Sequence, residues 1–181
     1  MRITSKWQVT IPQEIREKAG LLPGTEVEFA DDHRRDHGAH AGRRGLTVLV
    51  DSNVIIDVVN DDPVWGHWSR DALDRAADTA QLVVSPIVFA EVSVGLARIE
   101  DLDRALPPDL FRREHLPFEA AFLAGKAFLR YRSRGGRSRS PLADFYVGAH
   151  AAIRGHRLLT RDARRYRTYS PTVELVAPDQ A

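Results

Sequence analysis

From residue 46 onward the chain alternates short unbroken apolar runs with longer stretches whose apolar residues recur every three or four positions. Leu46-Thr47-Val48-Leu49-Val50, Gln81-Leu82-Val83-Val84 and Arg157-Leu158-Leu159-Thr160 are the short runs. Each is too short for a helix and reads as a strand buried on both faces, the pattern of a parallel sheet. Val173-Glu174-Leu175-Val176 reads as a last, edge strand. Between them the spacing predicts helices from Ser52 to Val59, from the tryptophan pair Trp65 and Trp68 to about Thr79, and from Pro86 to about Arg98. A short helix and turn follow over 102–110. A long helix from Phe118 to about Arg132 is predicted to bury Phe118, Ala121, Phe122, Gly125, Phe128 and Leu129. A last helix starts at Ser140-Pro141 and ends at Gly155. Ser52, Ser85 and Ser140 stand where a hydroxyl caps a helix, and Pro86 and Pro141 fit the first turn. Alternating strands and helices of this kind predict an α/β fold, a three-layer α/β/α domain with a mostly parallel sheet. The tryptophans read as packing residues.

Residues 1–30 follow a different pattern. Gln8-Val9-Thr10-Ile11 predicts a short strand, Pro12 opens a helix over Gln13 to Ala19, and Thr25-Glu26-Val27-Glu28-Phe29 alternates as a half-buried strand does. A strand–helix–strand piece of this size cannot bury a core alone. Ile3-Thr4-Ser5-Lys6, Gln8 to Pro12, Glu14-Ile15-Arg16 and Leu22 to Phe29 resemble the AbrB/MazE-type swapped-hairpin module, the dimeric DNA-binding head of many bacterial antitoxins. Two departures make the segment incomplete. Trp7 replaces the module's usual turn glycine, and polar sequence replaces its last strand. Residues 31–45 read as a linker, with His33, His37 and His40 solvated in it and not gathered on a metal. The expected organisation is therefore 1–30 antitoxin-type segment, 31–45 linker and 46–181 α/β domain.

Charge and composition narrow the picture only a little. Lys+Arg of 26 against Asp+Glu of 25 gives a net charge of +1, so any nucleic-acid surface must come from local clustering. Arg130, Arg132, Arg134, Arg137 and Arg139 are such a cluster, with no acid between them, and are candidate contacts for nucleic-acid phosphates. The absence of cysteine excludes disulfides and thiolate sites. No apolar run is long enough for a membrane span, and the expectation is a cytoplasmic protein.

The candidate chemistry lies where strands end. Asp51 directly follows the first strand, Glu91 falls in the second turn of the helix after the second, and Asp162 follows the third after Arg161. Asp144 lies near the start of its helix, away from the apolar stripe. In a parallel sheet these four carboxylates converge at one edge, where such sheets carry their sites. Packing four negative charges together is costly unless cations neutralise them. Oxygen ligands favour Mg²⁺ or Mn²⁺, and no thiolate or histidine cluster points to zinc. Helix N-termini are expected to keep Asp144 and Glu91 ionised. Without a phosphate-binding glycine loop, the cluster favours metal-assisted phosphodiester hydrolysis.

Val50 to Asp57, Ala90-Glu91-Val92, Pro141 to Ala151 and Leu158 to Asp162 resemble, in order, the four signature blocks of a PIN domain, with VapC-type toxins as nearest kin. The resemblance implies a Mg²⁺- or Mn²⁺-dependent endoribonuclease that leaves 5′-phosphate and 3′-hydroxyl ends, the toxin of a type II toxin–antitoxin pair. It makes Asp51, Glu91, Asp144 and Asp162 the catalytic and metal-binding acids, with Asp51 and Asp144 as direct ligands and Asn53 and Thr160 supporting them. It also implies a separate VapB-like antitoxin, a homodimer and possible contact with operator DNA. The alternative is a DNA-binding, autoregulatory antitoxin-like protein whose fused PIN domain is an inactive passenger; a third reading is a gene fusion with an active nuclease and a non-functional leader.

Overall fold

The computed structural model describes residues 2–3, 9–10 and 46–178. The chain divides into two units, Met1–His40 and Ala41–Ala181. In the first, β1 (Arg2–Ile3) pairs antiparallel with β2 (Val9–Thr10), with Arg2 opposite Thr10 and Ile3 opposite Val9. The helix expected over 13–19, the strand over 25–29, Trp7 and the histidine-containing linker lie outside the described residues.

The second unit is built on a five-stranded sheet of β3 (Thr47–Val50), β4 (Gln81–Val84), β5 (Phe111–Arg113), β6 (Arg157–Leu159) and β7 (Leu175–Val176). Their order is β5-β4-β3-β6-β7 and every pairing is parallel, so all five carboxyl ends leave from one edge. Val48, Leu49 and Val50 of the central strand are buried, as are Leu82, Val83, Val84, Leu158 and Leu159. The continuous apolar runs thus mark strands covered on both faces. Seven helices accompany them: α1 (Ser52–Val59), α2 (Gly66–Thr79), α3 (Pro86–Ser93), α4 (Ile99–Ala105), α5 (Phe118–Ser133), α6 (Ala143–Arg154) and α7 (Ala163–Tyr169).

Two of these elements were not expected. β5 has the sequence Phe-Arg-Arg and no apolar run, which an edge strand does not require. α7 reads Ala-Arg-Arg-Tyr-Arg-Thr-Tyr and buries only Ala163 and Tyr166, too few to show a period. α3 also stops at Ser93, five residues short of the expected end.

Capping follows the expectation at one serine of three. Ser85 Oγ accepts the Val88 N–H at 3.3 Å, with Pro86 at the start of α3. Ser140 caps nothing: α6 begins at Ala143 with Leu142 at its N-cap position, and Ser140 is taken up in a turn with Ser138. Ser52 lies inside α1, where Asp51 occupies the N-cap position without making a side-chain cap bond. Gly155 does end α6, at φ 68°, the left-handed conformation that favours glycine.

α6 is the keystone between two packed regions. Val147 and Ala151 join the main core against the sheet, whereas Phe145 and Ala149 face a second cluster with Ala120, Ala124 and Ala127 of α5. The buried face of α5 is therefore its alanine row and not the predicted aromatic one. Phe118, Phe122 and Leu129 are 92%, 67% and 60% exposed, and of the expected set Phe128 packs against the cluster. Small side chains let two helix backbones approach closely, and the larger residues are turned outward by that approach.

Candidate active site

Asp51 sits at the carboxyl end of β3, 3% exposed. Its backbone N–H donates to Leu159 O at 2.9 Å, so the turn out of β3 is pinned to β6. Three donors converge on Asp51 Oδ2: Asn53 Nδ2 and Thr160 Oγ1, each at 2.8 Å, and the Tyr166 hydroxyl at 3.0 Å. The supporting groups also bind each other, Asn53 Nδ2 reaching Thr160 Oγ1 at 3.0 Å. Asn53 Oδ1 accepts the Arg161 N–H at 3.2 Å and Thr160 Oγ1 accepts the Asp162 N–H at 3.1 Å. The loop after β6 is thereby locked to the first turn of α1.

Ser52 carries the network to the next acid. Its hydroxyl donates to Glu91 Oε2 at 2.8 Å, with Asp51 Oδ1 at 3.4 Å. Burial pushes the Asp51 carboxyl above the ordinary range against the opposing pull of its hydrogen bonds. Burial likewise pushes Glu91 up, and the charge on Asp51 adds to it. The expectation that a helix N-terminus holds Glu91 low is thus corrected: the dipole fades within the first turn, and Glu91 is beyond it. Tyr166, 2% exposed, is pushed well above its usual value by burial and by Asp51, which keeps its hydroxyl a donor.

The remaining two acids bond to α7. Asp162 caps α7, its Oδ1 accepting the Arg164 N–H at 3.3 Å. Asp144, in the first turn of α6, forms an ion pair with the Arg165 guanidinium of the same α7. The structure therefore ties Asp51 to Glu91 through Ser52, while Asp144 and Asp162 each meet α7. Tyr166 and Arg165 escaped the sequence reading because α7 itself did.

The donor set around Asp51 fits a hard divalent cation. Asp51 and Glu91 offer carboxylate oxygens, and among the described residues no ion pair reaches either. Two desolvated carboxylates without a counter-charge are an arrangement that a bound dication stabilises.

A second cluster was not foreseen. Glu114, His150 and His156 bring ligating atoms within 4.8 Å of one another, so a histidine cluster does exist among the described residues. Its chemistry differs. Glu114 Oε1 lies 3.1 Å from His150 Nε2, 3.2 Å from His156 Nε2 and 3.2 Å from Arg154 Nε, while Oε2 meets Arg112 at 2.8 Å. His156 Nδ1 meets Thr47 Oγ1 at 2.6 Å. Burial opposes ionisation of Glu114, but the imidazole hydrogen bonds and neighbouring positive charge prevail and hold its carboxyl well below the usual range. Two guanidiniums already neutralise this carboxylate, and a dication would have to displace them. The cluster ties β3, β5 and α6 to the turn before β6.

The arginines in the last turn of α5 and in the loop after it are all exposed. Arg130 donates to Tyr169 O at 3.3 Å, Arg132 to Ser138 O at 2.7 Å, and Arg134 lies 5.8 Å from the Tyr169 ring centre. Arg137 and Arg139 make no side-chain bond among the described residues.

The tryptophans part company. Trp68 packs against the main core, whereas Trp65 lines an open cavity of about 360 Å³ together with Asn53, Arg161 and Asp162. Among the described residues no helix is long and apolar enough to cross a membrane.

A parallel sheet with a buried aspartate after its central strand, joined to a glutamate after the neighbouring one, defines a class that sequence comparison identifies. The PIN domain family model matches residues 48–170, and the chain belongs to the PIN domain family. A second model, described as antidote-toxin recognition MazE, bacterial antitoxin, matches residues 1–35. Among curated proteins none matches the chain. Solved structures share the fold at low identity. VapBC2 from Rickettsia felis, bound to a DNA fragment from its promoter, aligns with TM-score 0.58 at 17% identity, over 74% of this chain and 100% of that one. DNA-bound VapBC from Salmonella typhimurium aligns with TM-score 0.55 at 18% identity, over 74% and 98%. FitAcB from Neisseria gonorrhoeae aligns with TM-score 0.54 at 20% identity, over 71% and 95%.

Proposed function

We propose that this protein is the toxin of a type II toxin–antitoxin pair, a Mg²⁺- or Mn²⁺-dependent endoribonuclease whose site is built on Asp51. The observation that carries the reading is the Asp51–Ser52–Glu91 network: two desolvated acids, three donors on one oxygen, and no basic partner among the described residues. Asp51 and Glu91 are the proposed core of the metal site, completed by Asp144 and Asp162 when substrate and ion displace Arg165 from Asp144. A bound Mg²⁺ or Mn²⁺ would supply an activated water and offset charge on the phosphate and the leaving 3′-oxygen. The chain's own contribution is positional. Asn53, Thr160 and Tyr166 saturate Asp51 Oδ2 and so direct Oδ1 toward the site. Ser52 orients Glu91. The products are 5′-phosphate and 3′-hydroxyl ends.

Arg130, Arg132, Arg134, Arg137 and Arg139 are proposed to guide RNA phosphates, since all are exposed and Asp144 follows within a few residues. The exposed row of Phe118, Phe122 and Leu129 on α5 supports a homodimer, because apolar side chains in a row are normally covered. A separate VapB-like antitoxin and operator DNA are the expected partners. The solved relatives include toxin–antitoxin complexes bound to DNA, and the antitoxin-type match over 1–35 favours DNA contact through this segment.

The test is cleavage of a mixed RNA with Mn²⁺, with Mg²⁺ and with EDTA, comparing wild type with Asp51→Asn and Asp144→Ala. Metal-dependent cleavage lost in both variants is expected; full activity in either would overturn the assignment. Truncation to residues 46–181 with unchanged cleavage would assign the activity to the PIN domain, and a gel shift on promoter DNA would test the leader.

A further inference from the structure

We infer that Arg165 is a tethered cation that competes with the dication for Asp144 and so sets the ion concentration at which the site fills, a role that rests on the metal-dependent reading above. Three acids meet α7: Asp162 caps it, Tyr166 donates to Asp51 Oδ2 at 3.0 Å, and Arg165 forms its ion pair with Asp144. The backbone is anchored on both sides of that pair. Ala163 and Tyr166 bury one face of α7, and Asp144 directly precedes the buried Phe145 of α6. What can move is the long arginine side chain. Its pair with Asp144 is open to solvent, the two side chains being 44% and 26% exposed. The guanidinium also belongs to the site electrically. Burial and then Asp51 push the Tyr166 hydroxyl up, and the charge on Arg165 opposes them. That charge is therefore felt at the hydroxyl that holds Asp51.

Charge decides which cation prevails. Arg165 holds a single carboxylate, and half-exposed ion pairs are weak. A dication carries twice the charge and takes several oxygens at once, and Asp51 and Glu91 have no ion pair among the described residues. The exchange therefore favours the dication, less the cost of breaking one ion pair. Because the guanidinium is tethered, its competition does not fade on dilution as that of a free cation would. A mere brace between α6 and α7 would set stability and leave ion affinity alone.

The experiment measures Mn²⁺ binding without RNA, from the paramagnetic resonance signal of free Mn²⁺. Wild type, Arg165→Met and Arg165→Gln are compared, each alone and combined with Asp144→Asn, with far-ultraviolet circular dichroism to show each is folded. Both Arg165 variants are expected to bind Mn²⁺ about tenfold more tightly than wild type, the low end of what a neighbouring arginine takes from a carboxylate's hold on a proton. With Asp144→Asn present the gain should vanish, because the contested acid is gone. Wild-type affinity in folded Arg165 variants would overturn the competition while leaving the metal site standing. So would a gain that persists beside Asp144→Asn, which would reduce Arg165 to a distant field. Failure of the metal-dependent reading would show separately, as no Mn²⁺ binding by wild type or by either Arg165 variant, and would take the competition with it.

Discussion

Tyr166 donates its hydroxyl to Asp51 Oδ2 at 3.0 Å, joining residues 115 apart in the chain. The tyrosine is the third donor on an oxygen that two others already bind, and it lies on a helix whose next residue back, Arg165, holds Asp144. One short helix, capped by Asp162, therefore touches three of the proposed catalytic acids. Removing the hydroxyl by Tyr166→Phe is expected to cost about 1 kcal/mol of stability. It also frees Asp51 to protonate more readily, so the acid limb of the cleavage–pH profile should move to higher pH. An unmoved limb would mean that Tyr166 does not help to set Asp51.

The same burial makes Asp51 and Glu91 unfavourable for the metal-free fold. Both carboxyls are raised, so the folded protein binds protons more tightly than the unfolded chain. Their contribution is then most favourable below the ordinary carboxylate value, and stability falls as pH rises through the raised values. Asp51→Asn should accordingly raise the melting temperature in EDTA at neutral pH and lessen the destabilising effect of rising pH. Melting curves from pH 4 to 8 check this.

Glu114 works in the opposite sense. Its carboxyl is depressed, so the stability it contributes is present above the ordinary value and is lost as pH falls below it. Glu114→Gln leaves Arg112, Arg154 and two imidazoles around a neutral amide, at a cost of about 3 kcal/mol. Urea unfolding at pH 7 should show that loss, and the variant's stability should depend less on pH below about 4.5.

Gly148 lets α6 approach the chain around α7. A Cβ placed there would lie 2.3 Å from Ser170 Oγ and 3.1 Å from Tyr166 Cδ1. Gly148→Ala is expected to cost about 1–3 kcal/mol through this crowding. Because one of the displaced atoms belongs to Tyr166, cleavage should fall as well, measured at a temperature where the variant remains folded.

Arg137 and Arg139 can be removed with little effect on packing. The double variant Arg137→Ala, Arg139→Ala should melt within a degree or two of wild type while binding RNA more weakly. If both contact phosphates, the slope of log affinity against log salt should lessen by about 1.4, at roughly 0.7 per phosphate on a single strand. An unaltered slope would remove them from the RNA path.

The outward row on α5 gives a test of assembly. Phe122 is 67% exposed and covered on one side only by Lys126, 4.7 Å from its ring centre. Phe122→Glu should leave the melting temperature of the monomer little changed. If this row carries the proposed homodimer, light scattering should find wild type a dimer and the variant a monomer at the same concentration.

Much of the fold was readable because strands buried on both faces are necessarily continuous apolar runs, and β3, β4 and β6 carry that composition openly. Asp51 stands out for the same reason: a charge ending such a run must lie at the sheet's edge. The positive φ at Gly155 was equally local. What the chain alone did not disclose depends on contacts between distant segments. The alanine face of α5 was chosen by the closeness of α6, which a count of apolar residues cannot anticipate. Ser52 could have capped its own helix, and it instead bonds Glu91, a partner 39 residues away. Tyr166, Arg165 and the Glu114 cluster gain their roles only once the sheet places them. Local sequence determines which segments must be buried; which polar group meets which is decided by the tertiary structure, since the energy of a buried hydrogen bond or ion pair exists only when both partners arrive.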